Sequence, residues 1–493
     1  GGTTEGNRIL IQGMYTRSSD ERNLPAVPFT LAGVDGDAVL QAPEKEAAGV
    51  SDHPLYLGAG FRLENIETVR IDHIYGNGHE LVIGEGVTTK GLYLYGYGQN
   101  ALGGSSQSAS VTALSGRILR IVGYLRSTGE LDCGGRSSTV TVGGTASVDA
   151  IVAGSASGAI SNAHVTINVE GGYVGTLIGG NQGFNANPSP FSGKTKINVG
   201  GGQVKNLYGA GSGRNQSVPT YRGDLDIDVA GGKVENLYGA GSAAYVISDG
   251  VDASRVSVSV SGKGRVDSLF AAGKGWDDTS GLGINNSTSA WGGFPAGTDS
   301  KDFGSLTGTV EIAVEDGGTV GDVYASGQGY VSSSGGSPDE GTKSNAYLNG
   351  EAVVRVSGGT VTGSVYGGGK GIELDGYERC ARVTEGSRVR VEVAGGTVQG
   401  NVYGGSLQGT VGGSTRVDID GGTVNGSVYG GAYGVSGSVL VAGGSTVDMT
   451  NGWVRGNLYG GSELSDDGVV VAEGGAAPDL IVVNLVGGTV GGN

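Results

Sequence analysis

The chain has 493 residues, 103 of them glycine and 10 proline, which places it at the edge of low-complexity composition. A formal charge of −17 and a pI of about 4.7 argue against nucleic acid or an anionic membrane as partner, because like charges repel. No apolar run approaches the roughly 20 residues of a membrane-crossing helix, and no basic stretch leads into an apolar signal core.

Residues 1–60 carry Pro25, Pro28, Pro43 and Pro54 and read as irregular entry coils. From 61 to 164, segments such as FRLENIETVRIDHI, HELVIGEGV, KGLYLYGYG and GRILRIVGYLRS alternate apolar and polar residues, the period of short strands. The Gly- and Ser-rich stretch around 100–116 is linker-like, and a loop within one continuous body is the favoured reading over a domain boundary.

From 165 the chain repeats itself. VTINVEGGYVGTLIGG (165–180), TKINVGGGQVKNLYGAG (195–211) and LDIDVAGGKVENLYGAG (225–241) share one template: alternating strand, glycine pair, short second strand, aromatic residue, glycine. Further copies begin at 256, 309, 352, 389, 415 and 445, and a tenth starts at 481. The aromatic residue falls at 208, 238, 270, 324, 366, 403, 429 and 459, so the strand block is constant while the segment after it varies in length. A sandwich or propeller needs regular return strands in those segments, whereas a solenoid tolerates any length there. The expected fold is therefore all-β: a single-stranded, right-handed parallel β-helix with almost no α-helix. Long loops at 181–194, 212–224, 243–255, 274–308 and 328–351 should leave one side. The domain reading is entry coils at 1–60, less regular coils at 61–164, and ten repeats over 165–493. GGTVGGN stops where earlier copies continue, so the polypeptide is expected to be a fragment of a longer protein.

Glycine is punctuation in this scheme. Sharp corners need positive φ or leave no room for Cβ, and stacked corners repeat that demand at every coil.

GGTVTGSVYGG (358–368), GGTVQGNVYGG (395–405) and GGTVNGSVYGG (421–431) resemble the Gly-rich repeats of bacterial surface adhesin-like proteins of the pectate-lyase-like β-helix group. The likeness covers about 165–493. It implies secretion, display at the cell surface, and a β-helical stalk or binding body that meets glycans or a host-surface protein. The signal and anchor that such proteins use are not recognisable in this sequence. No nucleic-acid partner and no membrane insertion by this segment are expected, and the chain should be monomeric.

Three features are candidates for chemistry. The first is the row Tyr208, Tyr238, Tyr324, Tyr366, Tyr403, Tyr429 and Tyr459, with Phe270 in step. Alternation turns these rings away from the valine core, where they either stack on sugars or stack on one another under cover. The second is the segment 273–306. Trp276, Trp291 and Phe294 with Asp299 have the aromatic-plus-polar composition of a carbohydrate site, and a self-packed loop is the competing reading. The third is acidic: Asp277, Asp278 and Asp302 would be the catalytic carboxylates if the chain is a glycoside hydrolase or polysaccharide lyase. A ladder of Asn168, Asn198, Asp228, Ser259, Ala313, Arg355, Glu392, Asp418, Asp448 and Asn484 also places acids on neighbouring coils. It reads as ordinary solvated charge, with Arg390 and Arg416 or a cation separating Glu392 from Asp418.

Cys133 and Cys380 lack metal-site spacing, and His53, His73, His79 and His164 are scattered, so no metal site is expected. No cofactor is indicated; a structural or catalytic Ca2+ is compatible with the acids without being called for. Surface adhesin, carbohydrate-active enzyme and passive rigid stalk are the three functional readings, in that order.

Overall fold

The computed structural model describes residues 7–44, 53–98, 108–124, 130–156, 158–183, 189–213, 219–242, 244–246, 254–275, 304–329, 346–372, 381–434, 441–463 and 481–492. Among them the one helical element is a single 3-10 turn, Asp20–Arg22, and every strand pairing is parallel. No helix among the described residues is long and apolar enough to cross a membrane. The fold is a parallel β-solenoid.

Its first sheet is an 18-stranded ladder running from Arg8–Ile11 to Ile481–Leu485. Like sits on like along it. Ile167, Ile197, Ile227, Val258, Ile312, Val354, Val391, Val417, Val447 and Val483 occupy one column, each paired with the next. All but the last are buried. Branched side chains suit a pleated surface, and each buried valine contributes about 1.5–3 kcal/mol. The strand Ala109–Ala113 pairs on one side with Glu80–Ile83 and on the other with Ser137–Val142. The ladder therefore passes the 100–116 region without a break.

A second ladder begins at Pro54–Tyr56 and ends at Thr489–Val490. Its inward column includes Val174, Val204, Val234, Val266, Val320, Val361, Val398, Val424 and Val454. A third, four-stranded sheet of Met14–Thr16, Val39–Gln41, Glu67–Val69 and Thr88–Thr89 is confined to the first coils. The glycine pairs make the turn between the two long ladders. Gly396 and Gly422 sit at φ +65° and +67°, a region that costs an L side chain about 1–2 kcal/mol.

From Thr360 onward the second ladder changes. Its strand breaks into pieces such as Thr360–Val361 and Val365–Tyr366, because one residue more separates the two inward side chains than in Val204–Leu207. Side chains repair the interrupted hydrogen bonding. The backbone N–H groups of Ser364, Asn401, Ser427 and Asn457 donate to Asp322 Oδ1, Ser364 Oγ, Asn401 Oδ1 and Ser427 Oγ, at 2.8, 3.0, 2.8 and 2.9 Å. The repeated G-S or G-N before the second apolar residue is thus a column of caps for a bulge repeated in the coils from Thr360 onward.

A last column of single bridges closes each coil, running Gln182, Ser212, Ser242, Lys274, Gln328, Lys370, Leu407, Tyr433 and Glu463. From Ser212 onward each lies four residues past the aromatic position, and the segments of variable length all follow it.

Candidate functional site

Trp276, Asp277, Asp278, Trp291, Phe294, Asp299 and Asp302, the sequence's proposed binding and catalytic set, lie outside the described residues, as does Cys380. Cys133 is described: it is a free, buried thiol that burial pushes up to about 12.

The aromatic row is in place but does not form an exposed platform. Val402 enters the main core and Tyr403 turns away from it, as alternation requires, yet Tyr403 is 2% exposed. Successive rings from Tyr208 through Phe270 to Tyr459 stack at 5.4, 5.1, 4.6, 4.9, 4.9, 5.0 and 5.0 Å. The column of closing bridges covers them: Leu407 and Tyr433 pack on the stack, and Tyr238 donates to Gln328 Oε1 at 2.6 Å. Tyr403 donates likewise to Glu463. Sugar stacking is therefore ruled out for Tyr238, Tyr324, Tyr366, Tyr403 and Tyr429, which are all buried; Tyr208 is half-buried and Tyr459 exposed. The same column holds Tyr56, Tyr75 and Tyr95 in the first coils, which the sequence reading did not connect to it.

Burial of the stack has a consequence in alkali. It pushes the Tyr366 hydroxyl from 10.0 up to about 12, helped by the negative charge of Asp322, and raises Tyr238, Tyr324 and Tyr403 as well. Between the unfolded and folded values the native state holds more protons than the unfolded chain, so stability is intact below pH 10 and lost as pH rises above it. Phenolate absorbance from the buried rings of the stack is expected to appear late, in one step with loss of the β signal. Smooth titration of all the tyrosines at the ordinary value would show that the stack is open to solvent.

The outward ladder from Asn168 to Asn484 has the register expected from the repeats. Its acids are less solvated than expected, however. Asp418 is 2% exposed, held by Arg390 and by Arg416 Nε at 2.8 Å. Arg355 reaches Glu392 at 3.1 Å and Arg416 reaches Asp448. Arg390 and Arg416 from the adjacent outward column, with Arg355 from the ladder itself, pair with the stacked carboxylates of Glu392, Asp418 and Asp448. Among the described residues no group of His, Cys, Asp or Glu could hold a metal ion. Among the described residues lining an open cleft of about 630 Å³ beside Ile160 and Phe191, one is a carboxylate, Asp132.

A different surface stands out. On the outer face of the second ladder, Thr360, Thr397, Thr423, Trp453 and Thr489 form one column. Thr362, Gln399, Asn425, Arg455 and Gly491 form the next, two residues further along each strand. Trp453 has a rung on either side and is still 45% exposed, and the Arg455 guanidinium lies 4.5 Å from its ring centroid. Neither column contains a carboxylate over these five coils. In earlier coils the same positions include charged residues, with Lys233 paired to Asp267 at 2.7 Å.

No family model, curated protein or solved structure matches this chain. The reading of this face rests on its chemistry. A flat strip of hydroxyl and amide groups around one exposed indole offers sugar hydroxyls hydrogen bonds and a sugar's C–H face a ring to lie on. The sequence reading weighed Trp276 and Trp291 and passed over Trp453, because a tryptophan inside a repeat looks like one more scaffold residue. The signal was the substitution itself: tryptophan where the four preceding copies have threonine, at 319, 360, 397 and 423.

Proposed function

We propose that the chain is a surface-displayed β-solenoid of the adhesin-like kind that binds glycans through the outer face of its second ladder. The observation that carries this reading is the exposed Trp453 on a strip free of carboxylates, within a protein of charge −17. The stacked coils supply a rigid support, so a ligand lying along the strip meets groups whose positions are set before it arrives. Rungs about 4.8 Å apart are close to the length of one pyranose unit, which lets successive sugars meet successive coils. Secretion and display at a bacterial surface are part of this proposal, and the resemblance of the repeats supports them. A glycan array probed with the chain should give signal that falls about tenfold or more with Trp453→Ala at unchanged thermal stability. An array with no signal for the unmodified chain would remove the glycan reading and leave the rigid stalk.

A further inference from the structure

The geometry points to a more specific ligand: we infer that Trp453 and Arg455 together take a single terminal sugar bearing a carboxylate. This rests on the glycan reading above and adds the sign and position of the charge. Several arginines on the outer faces are engaged with acids: Arg355 with Glu392, Arg390 and Arg416 with Asp418, and Arg255 with Asp226 at 3.0 Å. Arg455 has no carboxylate partner among the described residues, and its contact is the face of Trp453. A guanidinium laid on an indole keeps its charge and its in-plane N–H groups, which remain directed outward in the fork that matches a carboxylate. The residues around it are neutral: Asn425 and Thr423 on the rung before, and Thr489 and Gly491 on the rung after. Among the described residues no carboxylate on these rungs competes for the guanidinium.

The sugar ring would lie beside Trp453 with its carboxylate on Arg455 in a two-point hydrogen bond. Its other hydroxyls and the next sugar would meet Thr423, Asn425 and then Thr397 and Gln399, one coil at a time. The net charge of the chain sets a limit on the ligand. At −17 the protein repels a polyanion along its whole length, so one acidic residue at the end of a neutral oligosaccharide is favoured and a polyuronate is not.

The test measures binding of sialyllactose, lactose and oligogalacturonate to the full chain by calorimetry or ligand-observed NMR. Sialyllactose should bind about tenfold tighter than lactose, with oligogalacturonate the weakest of the three. Arg455→Gln should bring sialyllactose down to the level of lactose, and Arg455→Lys should restore part of the preference. Trp453→Ala should weaken both, and raised salt should shrink the preference. Equal binding of sialyllactose and lactose would overturn this inference while leaving the glycan reading intact. Tightest binding by oligogalacturonate would overturn it as well, by showing that the global charge does not select. Failure of all three sugars to bind would remove both the inference and glycan binding at this face.

Discussion

Gly404→Ala is expected to destabilise the coils around it by about 3 kcal/mol, although it adds a single methyl group. A Cβ at Gly404 would lie 2.2 Å from the carbonyl oxygen of Gly430 in the next coil, and 3.1 Å from both that carbonyl carbon and Thr415 Cβ. The neighbour is backbone, and the Gly404 amide already donates to Tyr429 O at 2.8 Å, so neither strand can move aside without breaking the ladder. The same close approach recurs at Gly367 and Gly430, each within 2.1–2.3 Å of the following coil. Gly200→Ala is the control: nothing lies within 4 Å of its Cβ position, and the change should stay within about 0.5 kcal/mol. Stacked repeats do not unfold as one unit, so hydrogen exchange resolved to the strands at 388–429 is the appropriate measurement. Equal protection in the two variants would show that the glycine after each tyrosine is dispensable.

That contrast also shows which part of the molecule was legible in the sequence. Alternation in VRVEV and TRVDI set the inward faces, and the constant block with variable spacing set parallel stacking, because both are properties of a single period repeated. Even the outward partners of Asp418 followed from counting. Burial of the tyrosines did not follow. Alternation says that Tyr403 points away from Val402, but it does not say what lies over it, and the cover comes from Leu407, Tyr433 and Glu463 across a corner. The cap column at Asp322, Ser364, Asn401 and Ser427 was hidden for a related reason. Each side chain serves the backbone of the following coil, 26 to 42 residues along the chain, where local pattern carries no information. Trp453 is legible only as an exception to the repeat.

Tyr403→Ala should produce the largest loss from any single side chain of the aromatic stack, about 3–5 kcal/mol. The ring lies between Tyr366 at 4.9 Å and Tyr429 at 5.0 Å, nearly parallel to both, and meets the edge of Tyr433 at 5.8 Å. Removing it opens a gap in the middle of a continuous column, and the neighbouring rings are fixed by their own strands and cannot close it. The hydroxyl is the smaller part of the effect. It donates to Glu463 and accepts from Asn401 Nδ2 at 2.8 Å, so Tyr403→Phe should cost about 1 kcal/mol. Tyr459→Ala calibrates the series, because that ring touches the stack on one side, at Tyr429, and is 41% exposed. Its loss should be the mildest alanine change of the three positions 403, 429 and 459, below about 2 kcal/mol. Denaturant titration read by tyrosine fluorescence and by hydrogen exchange in the surrounding strands separates the three variants. An effect of Tyr403→Ala no greater than that of Tyr459→Ala would mean that the valine columns alone hold the coils together, with the rings contributing only their own small burial.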